Sequence, residues 1–308
     1  MHKSVLLEEV IENLNIKEDK IYLDCTLGYA GHSSEILKRI KKGWLYAFDQ
    51  DKEAIKHSQK KLSEIGNNFE IINSNFKNLK EELEKRNINK VDGILFDLGV
   101  SSPQLDEGKR GFSYHTDAKL DMRMNQEDEI DAYIVINNYK EEDLTRIFYK
   151  YGEEKYSKRI ARKICEYRKN KKIETTLELV EIIKEAVPMK YKLDTHPARR
   201  TFQALRIEVN KELEILEKSL EDAIKALNKD GIICIISFHS LEDKIVKNVL
   251  KKHSELDKNI RNLPNIPEEY KPILEVYKKI KPTAKEIEEN KRSRSAILRV
   301  AKKIRKEE

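Results

Sequence analysis

Cysteine is scarce in this chain. The three present, Cys25, Cys165 and Cys234, are odd in number and far apart. That spacing argues against a disulfide framework or a metal cluster, and for reduced thiols in a cytosolic setting. Glycine is scarce too, at 10 residues beside abundant Lys, Ile and Asn, a bias that genome base composition alone can produce. No apolar run approaches the ~18 residues of a membrane span. The opening stretch, Met1-His2-Lys3-Ser4-Val5-Leu6-Leu7-Glu8-Glu9, places acids within its apolar part, which is not the pattern of a secretory signal. No internal repeat is visible. The expectation is a globular, cytoplasmic protein: 308 residues, 39% hydrophobic and 38% charged, enough for one large or two modest domains.

What is present begins with residues 21–32, Ile-Tyr-Leu-Asp-Cys-Thr-Leu-Gly-Tyr-Ala-Gly-His. An apolar run ends in Asp24, a loop with Gly28 and Gly31 follows, and a helical pattern starts at Ser33. Strand, glycine turn and helix in that order gather backbone N–H groups at one point, a ready site for an anionic or dipolar cofactor group. A dinucleotide loop wants G-x-G-x-x-G, and Gly28-Tyr29-Ala30-Gly31 lacks the close glycine pair. An ATP-binding loop needs a Lys after its last glycine, and none follows Gly31. What remains resembles the first motif of S-adenosylmethionine (SAM) methyltransferases. An ordinary βα turn that needs glycine for positive φ is the alternative. Cys25, with no paired base in sequence, reads as a small filler residue.

Trp44-Leu45-Tyr46-Ala47-Phe48-Asp49 is a second apolar run ending in an acid. A carboxylate at that strand tip can accept two hydrogen bonds from a ribose diol. Asp51 is the competing candidate, although its place before a helical pattern suits a cap better. Phe69-Glu70-Ile71-Ile72 leads into Asn73-Ser74-Asn75-Phe76, a polar and aromatic strand end suited to an adenine edge and face. Core packing explains Phe76 equally well. Val91 to Leu98 is a fourth strand, with Asp97 at its end. Polar groups thus line one sheet edge, and open α/β sheets bind ligands at that carboxyl edge.

Residues 1–98 alternate strand and helix, with helices near 5–14, 33–42, 51–65 and 77–87, the pattern of a parallel sheet. The fifth strong strand is Gly231 to Phe238. The stretch before it far exceeds a simple crossover and reads as helices near 141–151, 155–169, 176–187 and 198–228. Thr201 to Leu227 is expected as one long returning helix. Residues 106–197 then form an inserted helical domain, and residues 1–105 with 198–308 the sheet domain. An insertion leaving from the carboxyl edge suits substrate recognition. Beyond strand five, Ser240-Leu241-Glu242-Asp243 suggests a Ser-capped helix, with His239 either a turn residue or a substrate contact. Pro272–Tyr277 and Ala296–Val300 are expected to close the sheet as a terminal pair.

Net charge is +6, but residues 158–172 alone hold eight bases and one acid. A local basic stripe is the footprint of polyanion binding, or else a solvated helix face. Asn290-Lys291-Arg292-Ser293-Arg294-Ser295 is a second basic loop.

Several phrases resemble one family closely. They are Asp97-Leu98-Gly99-Val100-Ser101-Ser102-Pro103-Gln104-Leu105-Asp106, Arg110-Gly111-Phe112-Ser113, Leu120-Asp121-Met122-Arg123-Met124 and Thr201-Phe202-Gln203-Ala204-Leu205-Arg206-Ile207. Ser237-Phe238-His239-Ser240-Leu241-Glu242-Asp243 and Arg292-Ser293-Arg294-Ser295 extend the match, and Val5-Leu6-Leu7 opens it. The chain resembles the bacterial MraW/RsmH family of 16S ribosomal RNA cytosine-N4 methyltransferases over essentially its whole length. The resemblance implies a Rossmann-like class I SAM methyltransferase sheet with an inserted all-helical domain. It implies SAM as methyl donor and a decoding-region cytosine of 16S rRNA as acceptor, within the small subunit or a late precursor. A homodimer is left open, and no metal is implied. Carried over by position, the cofactor contacts fall on Ala30, Gly31, His32, Asp49, Phe76, Asp97 and Gln104. Tyr29 and Ala30 stand where the family often has glycines, so Tyr29 must point away from the cofactor.

For the chemistry, Asp97 is expected to contact SAM and orient the amine, with Ser101 or Ser102 as a second acceptor. Many amino-methyltransferases carry an Asp/Asn-Pro-Pro-aromatic motif here, and this chain lacks the di-proline. The target base must leave its stack, and Phe112 or Tyr114 are candidates to receive it, with hinge packing as the alternative. Arg159, Arg162, Lys163, Arg199, Arg200 and Arg294 are expected on phosphates. The competing functional readings are a non-catalytic SAM- and RNA-binding assembly factor, and a small-molecule methyltransferase or dehydrogenase.

Overall fold

The computed structural model describes residues 4–99, 108–194, 196–256, 259–260 and 265–305. The chain forms two compact units, Met1–Gly99 with Leu213–Glu308, and Val100–Glu212.

The first unit is built on a seven-stranded sheet of order β3-β2-β1-β4-β5-β7-β6, with β1 Ile21–Asp24, β2 Trp44–Asp49, β3 Phe69–Asn73, β4 Val91–Asp97, β5 Leu227–Ser237, β6 Leu274–Val276 and β7 Ile297–Lys303. The first five strands run parallel, and β7 lies antiparallel between β5 and β6. The period-two alternation of each strand sorts its side chains onto two faces. Ile94 and Phe96 of β4 join Phe48, Ile233 and Ile235 in one buried layer, covered by the helices Leu79–Lys85, Glu212–Ala226 and Ser240–Ser254. Leu95 joins Leu45, Cys234 and Val300 in the other, under the helices Leu7–Leu14 and Gly31–Leu37. Parallel strands buried on both faces read as near-continuous apolar runs, which is why Val91–Asp97 and Ile232–Ile236 stood out.

Strand order reverses between β1 and β4: the chain moves outward through β2 and β3, then returns to the other side of β1. Asp24 and Asp97, at the carboxyl ends of these two strands, therefore sit at the topological switch point, where open sheets hold ligands.

The second unit is helical, with Ala132–Asn138, Glu141–Gly152, Ser157–Tyr167, Thr176–Ala186, Met189–Asp194 and Arg199–Asn210. Glu141–Gly152 packs against both Arg199–Asn210 and Ser157–Tyr167, which packs in turn on Thr176–Ala186. The family phrases Arg110–Ser113 and Leu120–Met124 form a tied loop here. Arg110 donates to the carbonyls of Arg123 and Met124, and Met122 N–H returns to the Arg110 carbonyl. Gly111, at φ +74°, lies so close to the Lys119 carbonyl that a Cβ would sit 2.4 Å from it. Asp121 grips the Arg123 guanidinium at 2.7 and 2.9 Å, which supplies the role these residues lacked in the sequence.

The single helix expected over Thr201–Leu227 is two helices, and Leu227 already belongs to β5. The break is at Lys211, left-handed at φ 53°. Asn210 turns its side-chain amide back to the Arg206 and Met122 carbonyls, and its Oδ1 accepts Met124 N–H. These tertiary bonds end a helix that apolar periodicity alone would have continued.

Candidate active site

The loop after β1 is organised by Asp24. Its carboxylate, 1% exposed, accepts Ser33 Oγ–H at 2.6 Å on one oxygen and Thr26 N–H at 3.0 Å on the other. Thr26 Oγ1 in turn accepts the backbone N–H of Asp97 at 2.6 Å, tying the ends of β1 and β4 together. Burial pushes the Asp24 carboxyl up, and the Ser33 and Thr26 bonds oppose that shift. Asp24 is thus an internal brace. The carboxylate, the hydroxyl of Thr26 and Ser33 form one hydrogen-bonded unit that fixes the loop.

The loop then turns through Gly28 and Ala30, both at positive φ, into a helix that starts at Gly31, two residues before the expected Ser33. A Cβ on Gly31 would lie 1.8 Å from Ser4 Oγ, so glycine admits the N-terminal segment against this first turn. Ala30 is fully buried. The Tyr29 ring packs on His57 at 4.8 Å, on the helix Lys52–Ser63.

His32 is buried, and its Nε2 donates to the Val5 carbonyl at 3.1 Å. A carbonyl only accepts, so the proton belongs on Nε2 and Nδ1 carries a lone pair. Nδ1 faces Asp97 Oδ2 at 3.6 Å. Burial lowers the His32 pKa to about 4, so the ring is neutral near pH 7. Asp97 is the opposite case: burial, then the Asp24 and Glu242 charges, raise it to about 8. Its side chain is 26% exposed, yet Oδ1 is buried and has no hydrogen-bond partner among the described residues. A buried carboxyl oxygen without a donor is costly in the free protein and is completed by a ligand that donates to it.

Asp49 accepts Gly28 N–H on Oδ2 and Asp51 N–H on Oδ1, both at 2.8 Å, and burial raises it to about 7. A carboxylate offers about four lone-pair sites, so capacity remains for a diol. Asp51 caps the next helix by accepting Glu53 N–H. Phe76 opens a short turn after β3 and packs edge-on against Phe96, centroids 5.6 Å apart. Its ring is half-buried, serving the core on one side.

His239 is a cap: its Nδ1 accepts Glu242 N–H, and Glu242 Oε2 accepts the N–H groups of Phe238 and His239 at 2.8 and 3.3 Å. The helix boundary therefore falls one residue before the expected Ser240. Ser101, Ser102 and Gln104 lie outside the described residues. Thr26, Ser33, Val5 and Glu242 were missed in the sequence. Thr26 carried a local signal, since Asp24-x-Thr26 is an Asx-turn spacing, while Val5 and Glu242 lay within the family phrases without an assigned role.

The six basic residues are divided between the two units. Arg159, Arg162, Lys163, Arg199 and Arg200 belong to the helical unit and Arg294 to the sheet unit. On Ser157–Tyr167, Ile160, Ala161 and Ile164 are buried while Lys158, Arg159 and Arg162 are exposed. Lys163 pairs with Glu185 at 3.0 Å, and Arg162 stands 3.9 Å from Glu141. Arg200 donates to the Glu153 carbonyl, and Arg199 and Arg294 are exposed.

The sheet order, the antiparallel β7 and an acid-lined switch point are those of a Rossmann-like α/β fold with its ligand site at the carboxyl edge. The MraW methylase family model matches residues 1–304. Ribosomal RNA small subunit methyltransferase H of Exiguobacterium sibiricum is 52% identical over 307 residues, covering 99% of this chain and 98% of that one. The same-named proteins of Clostridium botulinum (strain 657 / Type Ba4) and Finegoldia magna are 55% and 51% identical, each over 98% of this chain, covering 99% and 98% of those proteins. The chain belongs to the MraW methylase family. The cofactor expected from the sequence is SAM. The site fits that group: an orphaned buried acceptor on Asp97 for a donor or cation, spare acceptor sites on Asp49 for a diol, and the Phe76 ring for a flat base.

Proposed function

We propose that this enzyme methylates the N4 amine of a decoding-region cytosine in 16S rRNA, on the small subunit or a late precursor, in the cytoplasm. The observation that carries this reading is the end-to-end similarity, above half identical, to relatives named as small-subunit rRNA methyltransferases. The helical insertion, bounded in the sequence at 106–197, is the substrate-recognition part in this reading. The exposed basic face of Ser157–Tyr167 supports it, because Lys and Arg on one helix face supply phosphate contacts that position RNA without reading its sequence.

When bound, SAM supplies an electrophilic methyl on its sulfonium. The work of the protein is alignment and electrostatics. Cytosine N4 is a weak nucleophile because its lone pair is delocalised into the ring. Asp97 Oδ1 is the acceptor for an N4 hydrogen, drawing electron density toward the nitrogen and stabilising the positive charge that develops there. The Thr26 hydroxyl fixes the backbone at Asp97. A neutral His32 keeps its lone pair toward the same carboxyl. Ser101 or Ser102 supplies a second acceptor.

The test is transfer of labelled methyl from SAM to small subunits, naked 16S rRNA or a metabolite panel, with mapping of any modified nucleotide. Label on a decoding-region cytosine N4 is the expected result. Absence of RNA labelling in every assembly state overturns the reading and leaves the non-catalytic assembly factor or the small-molecule enzyme.

A further inference from the structure

Within the helical unit, three rings meet at the surface. Tyr114 stacks on His196 with centroids 4.4 Å apart and planes at 22°. His115 lies 4.5 Å from Tyr114 and 5.2 Å from His196. Beneath them, the buried Phe202 meets Tyr114 edge-on at 5.7 Å. His115 is exposed, and Tyr114 and His196 are half-buried.

Hydrogen bonds tie down the segment beside the cluster. The buried Thr176 hydroxyl donates to the Thr116 carbonyl at 2.7 Å and accepts Ala118 N–H at 3.0 Å, pinning the segment that carries Tyr114 and His115. His196 Nδ1 accepts Ala198 N–H at 3.3 Å, so Nε2 carries the proton and is a donor. Burial, with His115 and Lys184 nearby, holds His196 below its ordinary pKa, which keeps the ring neutral for stacking. Of the neighbouring charges, Lys184 and Glu181 neutralise each other at 2.7 Å. Arg199 is exposed.

Core packing does not need two histidines at the surface, and their polar tips add nothing to a core. Aromatic faces with polar edges and an adjacent cation match the three parts of a nucleotide: the π-face, the edge and the phosphate. We propose that Tyr114, His115 and His196 form a stacking platform for one unpaired nucleobase of the RNA substrate, with Arg199 on the adjoining phosphate. This rests on the RNA reading above and adds a base-stacking site to the phosphate contacts assigned there.

The test compares binding of the full-length protein to a short single-stranded RNA carrying 2-aminopurine and to an abasic ribose–phosphate strand of equal length. Wild type is expected to quench the 2-aminopurine and to bind the base-bearing strand about tenfold more tightly. His115→Ala, at an exposed position, and His196→Ala each remove most of that preference. Tyr114→Phe and His196→Phe retain it, which separates stacking from folding. Arg162→Ala weakens both strands alike. Equal wild-type affinity for the two strands, or a preference that survives both alanine variants, overturns the platform. Binding of neither strand, together with no binding of 16S rRNA, overturns the RNA reading itself.

Discussion

In the proposed mechanism Asp97 sets folding against function. Its pKa of about 8, against an ordinary 3.8, means the folded protein holds a proton that the unfolded chain has released over that interval. Stability from this group is therefore full below about pH 3.8 and is lost as pH rises through 8. Asp49, raised to about 7, adds a slope of the same sign. Asp97→Asn removes the group's charge penalty. The variant is expected to melt higher than wild type at pH 8.5, by roughly 1–3 kcal/mol in stability, and to lose most methyl transfer. Thermal melts across pH 4–9 with parallel turnover assays check this, and a variant with near-normal turnover and SAM affinity removes Asp97 from the chemistry. Thr26→Val, which deletes the acceptor of Asp97 N–H, is expected to cost about 1–2 kcal/mol and to weaken SAM binding by calorimetry.

At the scale of elements, the first helix turn after β1 depends on a contact with the N-terminal segment. Gly31→Ala drives a Cβ toward Ser4 Oγ and is expected to lower SAM affinity and melting temperature. Adding Ser4→Ala removes the nearest atom and should restore much of both, a rescue that calorimetry reads directly. Failure of rescue places the cost in the loop backbone instead. At the break near Lys211, Asn210→Ala deletes the amide that turns back to Met122 and Arg206. About 1–3 kcal/mol of destabilisation is expected, measured by urea unfolding with unchanged slope.

At the scale of the molecule, the RNA contact proposed for the basic helix face acts through counterion release. Arg162→Ala with Lys163→Ala should weaken RNA binding and reduce the slope of log K against log salt by about 2. The pairs with Glu141 and Glu185 moderate that figure, because a cation already neutralised releases fewer counterions. An unchanged slope assigns the stripe to a solvated face. The free cysteines carry no such role: Cys25 and Cys234 are buried, and burial pushes both thiols up, away from reactivity.

The strands of the sheet, their acidic tips, the Asp51 cap and the terminal antiparallel pair were legible because period-two burial and end signals are local properties of the chain. The family phrases were legible too, although the phrase around Asp121 and Arg123 had no physical meaning until its loop was seen. The tertiary structure decided what depends on atoms distant in sequence. Asp24 became a brace through Ser33 and Thr26, and Asp97 acquired an orphaned oxygen beside a neutral His32. The long helix broke where Asn210 found Met122, and position 31 must be glycine because Ser4 lies against it. Sequence determined which residues line the sheet edge, since alternation and strand termini are written along the chain. Only the fold determined their protonation and hydrogen bonding, because burial and through-space charge are set by neighbours that the sequence does not place side by side.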